Sequence, residues 1–324
     1  MRFGVQVAHV DWPQLRDFAQ AIEGMGFHTL YFPDHLVHEG PERQRQELPA
    51  HDPIIETAVV AEATRRIRIG HLVLCNLFHH PAVTARSLAS LDQLSGGRVI
   101  AGLGTGWTET EFRMTGIPFP DVTTRLRMLD EALVALVALW EEKPFTFTGE
   151  FYQFRDALLH VRPVQQPHPP ILLGGSGKGL LRIAARRADA LNIISATGKA
   201  GYIAMAEVAK LTDASFRAKV KFVRDEARRA GRDPNAIAIS QTLFTVMVTD
   251  SPAATRAMAE SFGGMLQLPP DEVLRSPLTL IGTPEECVAE LKRRAREWEV
   301  TETIFAARGE DVLRRLADDV LPHV

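Results

Sequence analysis

Two glycine-rich turns carry the residues of this chain best placed for chemistry. The first, GLGTGW over 102–107, presents Thr105, Gly106 and Trp107; the second, GGSGKG over 174–179, presents Gly175, Ser176, Gly177 and Lys178. Each follows a short apolar run and leads into a helical pattern, a join at which backbone N–H groups face an anion from a helix N-terminus. Two familiar phosphate motifs are excluded by spacing. The first turn has only alternate glycines rather than G-x-G-x-x-G. The second would need glycine at Leu172 and Ser or Thr at Gly179 to form a P-loop. What remains is an anion cradle at Gly175–Gly177, with Lys178 as a point charge. Each exposed helix-end interaction contributes only about 0.3–1 kcal/mol, so several must converge to hold a phosphate.

The other polar groups expected at strand ends are few: Asp34 and His35, Cys75 and Asn76, Ser195 and Arg308. No lysine ends a strand in apolar surroundings, which disfavours a Schiff-base enzyme. Carboxylates do not pair there as a glycosidase or metal site requires. His35, His38, His79 and His80 lack a matching third ligand, so no metal site is expected. Cys75 has no neighbouring base and reads as a buried, inert thiol. An anion cradle beside so few acids and bases points to a bound cofactor that carries the reaction.

Short apolar runs at Phe3–Val7, Thr29–Phe32, Ile67–Leu74, Val99–Leu103, Ile171–Leu173, Ala190–Ile194, Ile237–Val248 and Thr303–Ala306 read as strands buried on both faces. Helical patterns lie between them, and Asp52-Pro53 and Thr283-Pro284 each place a capping residue before a first-turn proline. Alternation of this kind predicts an α/β fold, a TIM (β/α)8 barrel over 1–324, with an open doubly wound sheet as the alternative. Insertions at about 143–170 and 195–235 fall at the C-terminal mouth. The first contains FTFTGEFYQF, which reads as a hairpin about Thr148-Gly149. The polar loop His35–His51 is placed to act as a lid.

A chain of 324 residues with 45% hydrophobic and 24% charged residues can bury one large core. Its net charge of -3 gives no basic bias, so neither nucleic acid nor an anionic membrane is an expected partner. Cys75 and Cys287 are the two cysteines and no CxxC occurs, so no disulfide framework is implied. No apolar stretch is long enough for a membrane span, and the first residues do not read as a signal peptide. A cytoplasmic protein is expected.

In that framework the ordered motifs resemble a known family. PDH after the second strand, HHPAVTARSLASLDQLSGGRVIAGLGTGW, PFP, RPVQQPHPPILLGGSG and ARRADALNI are together similar to the bacterial luciferase-like superfamily, within it the F420-dependent oxidoreductases. The likeness runs from about Phe3 to Ile194 and is weaker in the last strand and helix. It implies hydride transfer between coenzyme F420 and a small organic substrate, with FMN as the alternative cofactor, and a homodimer. By the same resemblance Asp34 contacts the cofactor ring and His35 moves a substrate proton. Cys75-Asn76 marks the place of a non-proline cis peptide behind the ring, Thr105 and Gly106 line the cofactor, and Gly175, Ser176 and Gly177 take its phosphate. Where the sugar-phosphate dehydrogenases of this branch have a glutamate after GTG and a tryptophan past the DH pair, this chain has Trp107 and Glu39. Those two residues would line the substrate pocket, and they argue against glucose 6-phosphate. Two other readings stay open: an FMN-dependent monooxygenase, and a non-catalytic flavin-binding protein.

Overall fold

The computed structural model of the chain describes residues 1–7, 10–39, 45–46, 49–196, 205–306 and 309–324. Eight parallel strands form a closed ring: β1 (Arg2–Gln6), β2 (Thr29–Phe32), β3 (Arg68–His71), β4 (Val99–Gly104), β5 (Ile171–Gly174), β6 (Ala190–Ile193), β7 (Ala238–Leu243) and β8 (Val300–Phe305). Neighbours in sequence are neighbours in space. The ring closes through β1 and β8, with Phe3 opposite Thr303 and Gly4 opposite Ile304. The open-sheet alternative is thereby excluded.

The strands are buried on both faces, and polar residues among them pair with one another, as Thr29 and Tyr31 do with Glu302 and Asn192 does with Ser240 and Thr242. The outward residues of the strands pack with the helices in one continuous core that includes Leu30, Ile69, Val99, Leu191 and Ile239. The inner faces meet in a smaller cluster of Tyr31, Ile100, Leu172 and Ile304, with Leu72 and Val73 packed on it. The barrel is therefore filled by side chains, and the space for a ligand lies above it. The expected helix starts are present: Asp52 accepts from the Ile54 and Ile55 amides, and Thr283 forms a capping box with Glu286. The predicted hairpin is also present, as antiparallel strands Phe145–Thr148 and Gln153–Ala157.

Three details differ from the sequence reading. The expected strand Ile237–Val248 divides at Phe244. Its second part, Thr245–Val248, leaves the ring and pairs in parallel with Thr279–Gly282, a strand the sequence did not reveal. Both halves are apolar and extended, so periodicity alone cannot mark where one leaves the barrel. Helices also occupy Glu109–Thr115, Pro252–Leu266 and Pro270–Arg275. Finally, the non-proline cis peptide joins Leu72 to Val73 rather than Cys75 to Asn76. After β3, residues His71–Val73 stand opposite only Ala101 and Gly102 before Leu74 and Cys75 pair again with β4. The third strand therefore bulges earlier than expected.

That bulge places Val73 across the floor of the mouth. A Cβ on Gly104 would meet Val73 Cγ2 at 2.5 Å, and one on Gly174 would meet Cγ1 at 3.0 Å. The glycines at the ends of β4 and β5 make room for the protein's own floor.

Candidate active site at the barrel mouth

The dipeptide Asp34-His35 follows β2, and its two side chains have separate partners. Buried Asp34 accepts from the Cys75 amide and from His79 Nε2, both at 2.8 Å through Oδ2. Burial opposes charge on His79, but the hydrogen bond and charge of Asp34, with Asp52 adding, outweigh it and raise His79 above the ordinary histidine range. His71 lies below, fully buried, and burial pushes its pKa down to about 4 against the pull of Asp34. Two like titratable groups are thus moved in opposite directions, His79 up and His71 down.

His35 turns the other way. Its Nδ1 lies 3.2 and 3.3 Å from the two carboxylate oxygens of Glu111, and its ring meets Trp107 edge-on with centroids 5.4 Å apart. Glu111 is buried on helix Glu109–Thr115 and also accepts from the Leu36 amide at 2.6 Å and the Val37 amide at 3.3 Å. Neither Glu111 nor the His79–Asp34 pair emerged from the sequence. Glu111 stands four residues past the GTGW turn, and His79 was weighed only as a metal ligand. Among the described residues no group of three metal-binding side chains occurs.

The second turn leads into a helix as expected, with one amide already engaged. The Gly175 amide is spent on Asn192 O at 3.0 Å, so it is not available to an anion. Gly177 is the N-cap of helix Lys178–Arg187, no side chain caps that helix, and a Cβ there would meet nothing within 4 Å. Lys219, from helix Asp213–Arg229, donates to Ser176 O at 3.2 Å. Burial depresses the Lys219 pKa and the charge of Lys178 depresses it further. Two ammonium groups in electrostatic contact beside an uncapped helix start favour an anion between them.

Arg125 completes this side of the mouth. Its guanidinium lies 3.8 Å above the Phe119 ring, and its Nε and Nη1 are buried without a hydrogen-bond partner. Burial lowers its pKa, while Cys75 and Asp121 act in the other direction. The next residue, Leu126, would touch a Cβ on Gly179 at 2.5 Å, so the start of helix Val122–Leu139 stands beside the second turn. Unpaired buried N–H groups on a cation are costly unless a ligand supplies the acceptor.

The remaining expected residues have mixed settings. Cys75 is a buried thiol pushed up to about 12 by burial, as its inert reading required. Asn76 donates its side-chain amide to Tyr152 OH at 3.2 Å and its backbone amide to Gly104 O. Gly106 has φ +72, and a Cβ there would strike Cys75 Sγ at 2.7 Å. Thr105 and Trp107 are part-exposed at the rim. Glu39 belongs to a short strand, His38–Glu39, whose side chains lie outside the described residues, as does Arg308.

A filled barrel whose mouth combines an apolar floor, an uncapped helix start beside two lysines and two histidine–carboxylate pairs places this chain among the α/β barrels. The chain belongs to the luciferase-like monooxygenase family, whose profile matches residues 2–268. It is 29% identical over its full length to an F420-dependent glucose-6-phosphate dehydrogenase of Nakamurella multipartita, covering 96% of that protein. A shorter region is 34% identical to an FMNH(2)-dependent dimethylsulfone monooxygenase of Pseudomonas putida, spanning 43% of this chain and only 38% of that relative. Among solved structures, the coenzyme F420-dependent tetrahydromethanopterin reductase of Methanopyrus kandleri shares the fold, with a TM-score of 0.77, 18% identity and 99% of both chains covered.

Proposed function

We propose that this chain is an oxidoreductase that exchanges a hydride between coenzyme F420 and a small organic substrate. The observation that carries the proposal is the anion-demanding side of the mouth, where Arg125 N–H groups without acceptors stand beside the Ser176–Lys178 helix start and Lys219. A planar redox cofactor with a phosphorylated tail fits both the charge and the apolar Leu72–Val73 floor. The full-length likeness to an F420-dependent dehydrogenase favours F420 over FMN. When bound, the deazaflavin accepts or delivers hydride at C5. The chain's own residues then have distinct tasks. Ser176, Gly177, Lys178, Lys219 and Arg125 hold the phosphate, and Thr105 and Gly106 line the tail. Asp34, braced by Cys75 and His79, orients the ring. Cys75 and Asn76 shape the wall beside it. His35 moves the substrate proton, with Trp107 and Glu39 bounding the substrate pocket.

The second reading, an FMN-dependent monooxygenase, draws on the region shared with the dimethylsulfone enzyme. Oxygen uptake with reduced FMN separates the two, since F420 chemistry consumes none. For the main reading, a panel of small alcohols and aldehydes is assayed by the F420 absorbance. A turned-over substrate should lose about 10²–10⁴-fold in rate with His35→Ala, the usual size of general acid–base catalysis. An unchanged rate would remove His35 from the reaction.

We also read the whole chain as one barrel unit that pairs as a homodimer in the cytoplasm. Helices Pro53–Ala63 and Pro81–Ser95 lie side by side, and Ile55, Val83 and Leu94 are exposed on them, an apolar face suited to a second copy. Both cysteines are free and buried, which fits a reducing compartment. Among the described residues no helix is long and apolar enough to cross a membrane.

A further inference from the structure

We infer that Glu111 sets the tautomer of His35, making Nε2 the basic nitrogen of the ring. Glu111 is a positioning residue: it acts through His35 and is itself buried.

Hydrogen-bond valence assigns the tautomer. An ionised carboxylate only accepts, and a neutral imidazole has one donor and one acceptor nitrogen. Glu111 already accepts the Leu36 and Val37 amides through Oε1, so donors on the loop that carries His35 fix the orientation of its carboxyl group. With His35 Nδ1 at 3.2 and 3.3 Å from the two oxygens, the contact is favourable only if Nδ1 bears the proton. The lone pair then belongs to Nε2 whenever the ring is neutral. Because an imidazole in water favours the opposite tautomer only slightly, one charge-assisted bond suffices to invert the ratio by about tenfold or more. The edge-on Trp107 ring limits rotation that would exchange the two nitrogens.

This gives the same carboxylate two functions, fixing the loop after β2 and choosing which ring nitrogen is basic. The inference rests on the reading of His35 as the proton carrier only for its catalytic meaning. The tautomer is a property of the protein alone.

The test is long-range ¹H–¹⁵N spectroscopy of ¹⁵N-histidine protein without ligand, with the His35 signals assigned by their loss in His35→Ala. The expected wild-type pattern above the titration of the ring is a protonated Nδ1 and an unprotonated Nε2. Glu111→Gln keeps an oxygen for Leu36 and Val37 but can turn an NH₂ group to Nδ1, so the pattern should invert to Nε2–H. A wild-type ring already in the Nε2–H form, or an unchanged pattern in a folded Glu111→Gln, overturns the inference. Should the variant fail to fold, the wild-type spectrum still decides. Retention of turnover in His35→Ala together with the expected wild-type pattern would refute the catalytic reading while leaving the tautomer assignment intact.

Discussion

The foot of the barrel and its mouth use polar side chains differently: the foot is tied by hydrogen-bond networks, even though His28 Nε2, Arg68 Nε and Arg162 Nε there lack partners among the described residues. The mouth leaves two N–H groups of one arginine unpaired beside two lysines. At the foot, buried Asp92 accepts from the Val164 and Gln165 amides and from Gln165 Nε2, tying helix Pro81–Ser95 to the entry of β5. Arg98 donates to Ala61 O, Ile67 O and Thr64 Oγ1. Inside, Glu302 accepts from Thr29 Oγ1 at 3.0 Å and Tyr31 OH at 3.1 Å. At the mouth, Arg125 keeps two buried N–H groups unpaired, Lys219 faces Lys178, and Glu56 is buried with no hydrogen bond to its carboxyl among the described residues. Paired groups lower the energy of the fold, whereas unpaired ones raise it and are relieved by a ligand. The difference teaches where stability and binding can be changed separately.

The strongest expected effect is at the foot. Asp92→Ala leaves two backbone amides and a side-chain amide without their acceptor and should cost about 3–5 kcal/mol, read as a lower midpoint in urea. The folded fraction should bind cofactor as before. At the mouth the pattern should reverse. Arg125→Met keeps an apolar stem over Phe119 and removes the unpaired donors, so stability should hold or rise while cofactor affinity falls about 10–100-fold by titration. A variant that loses stability without losing affinity would place Arg125 with the foot.

How much of this division was legible in the sequence depends on range. Asp52, Thr283 and the hairpin about Gly149 act within a few residues, and their elements were readable from local spacing. The turn into helix Lys178–Arg187 was readable too, because Ser176, Gly177 and Lys178 are contiguous. Glu111, His79, Arg125 and Lys219 were not. Each reaches the site from a different helix or loop, and only ring closure sets it beside its partner. The Thr279–Gly282 strand was hidden for the same reason, since its pairing partner lies more than thirty residues earlier and four residues carry no readable period.

A smaller effect concerns pH. Burial first, with the charge of Asp52 second, raises the Glu56 carboxyl to about 7. A carboxyl raised on folding adds stability below its unfolded value near 4.5, and that contribution is lost as pH climbs to 7. Glu56→Gln should therefore melt like the wild type at pH 4 and be more stable at pH 8 by roughly 3 kcal/mol, on the scale of roughly 1.4 kcal/mol per pKa unit. The same gain at both pH values would show that proton binding is not involved. The smallest effect belongs to Lys219→Ala, a part-exposed cation. Its loss should weaken cofactor binding about 3–10-fold at low salt and less at high salt.

The central claim is that the mouth is built around the phosphorylated tail of a deazaflavin. Parallel equilibrium titrations of ligand-free protein with F420 and with FMN, for the wild type and Arg125→Met, test it most directly. The account predicts that F420 binds the wild type at least about tenfold more tightly than FMN and that Arg125→Met weakens it. Absence of F420 binding, or equal affinity in wild type and variant, would contradict it.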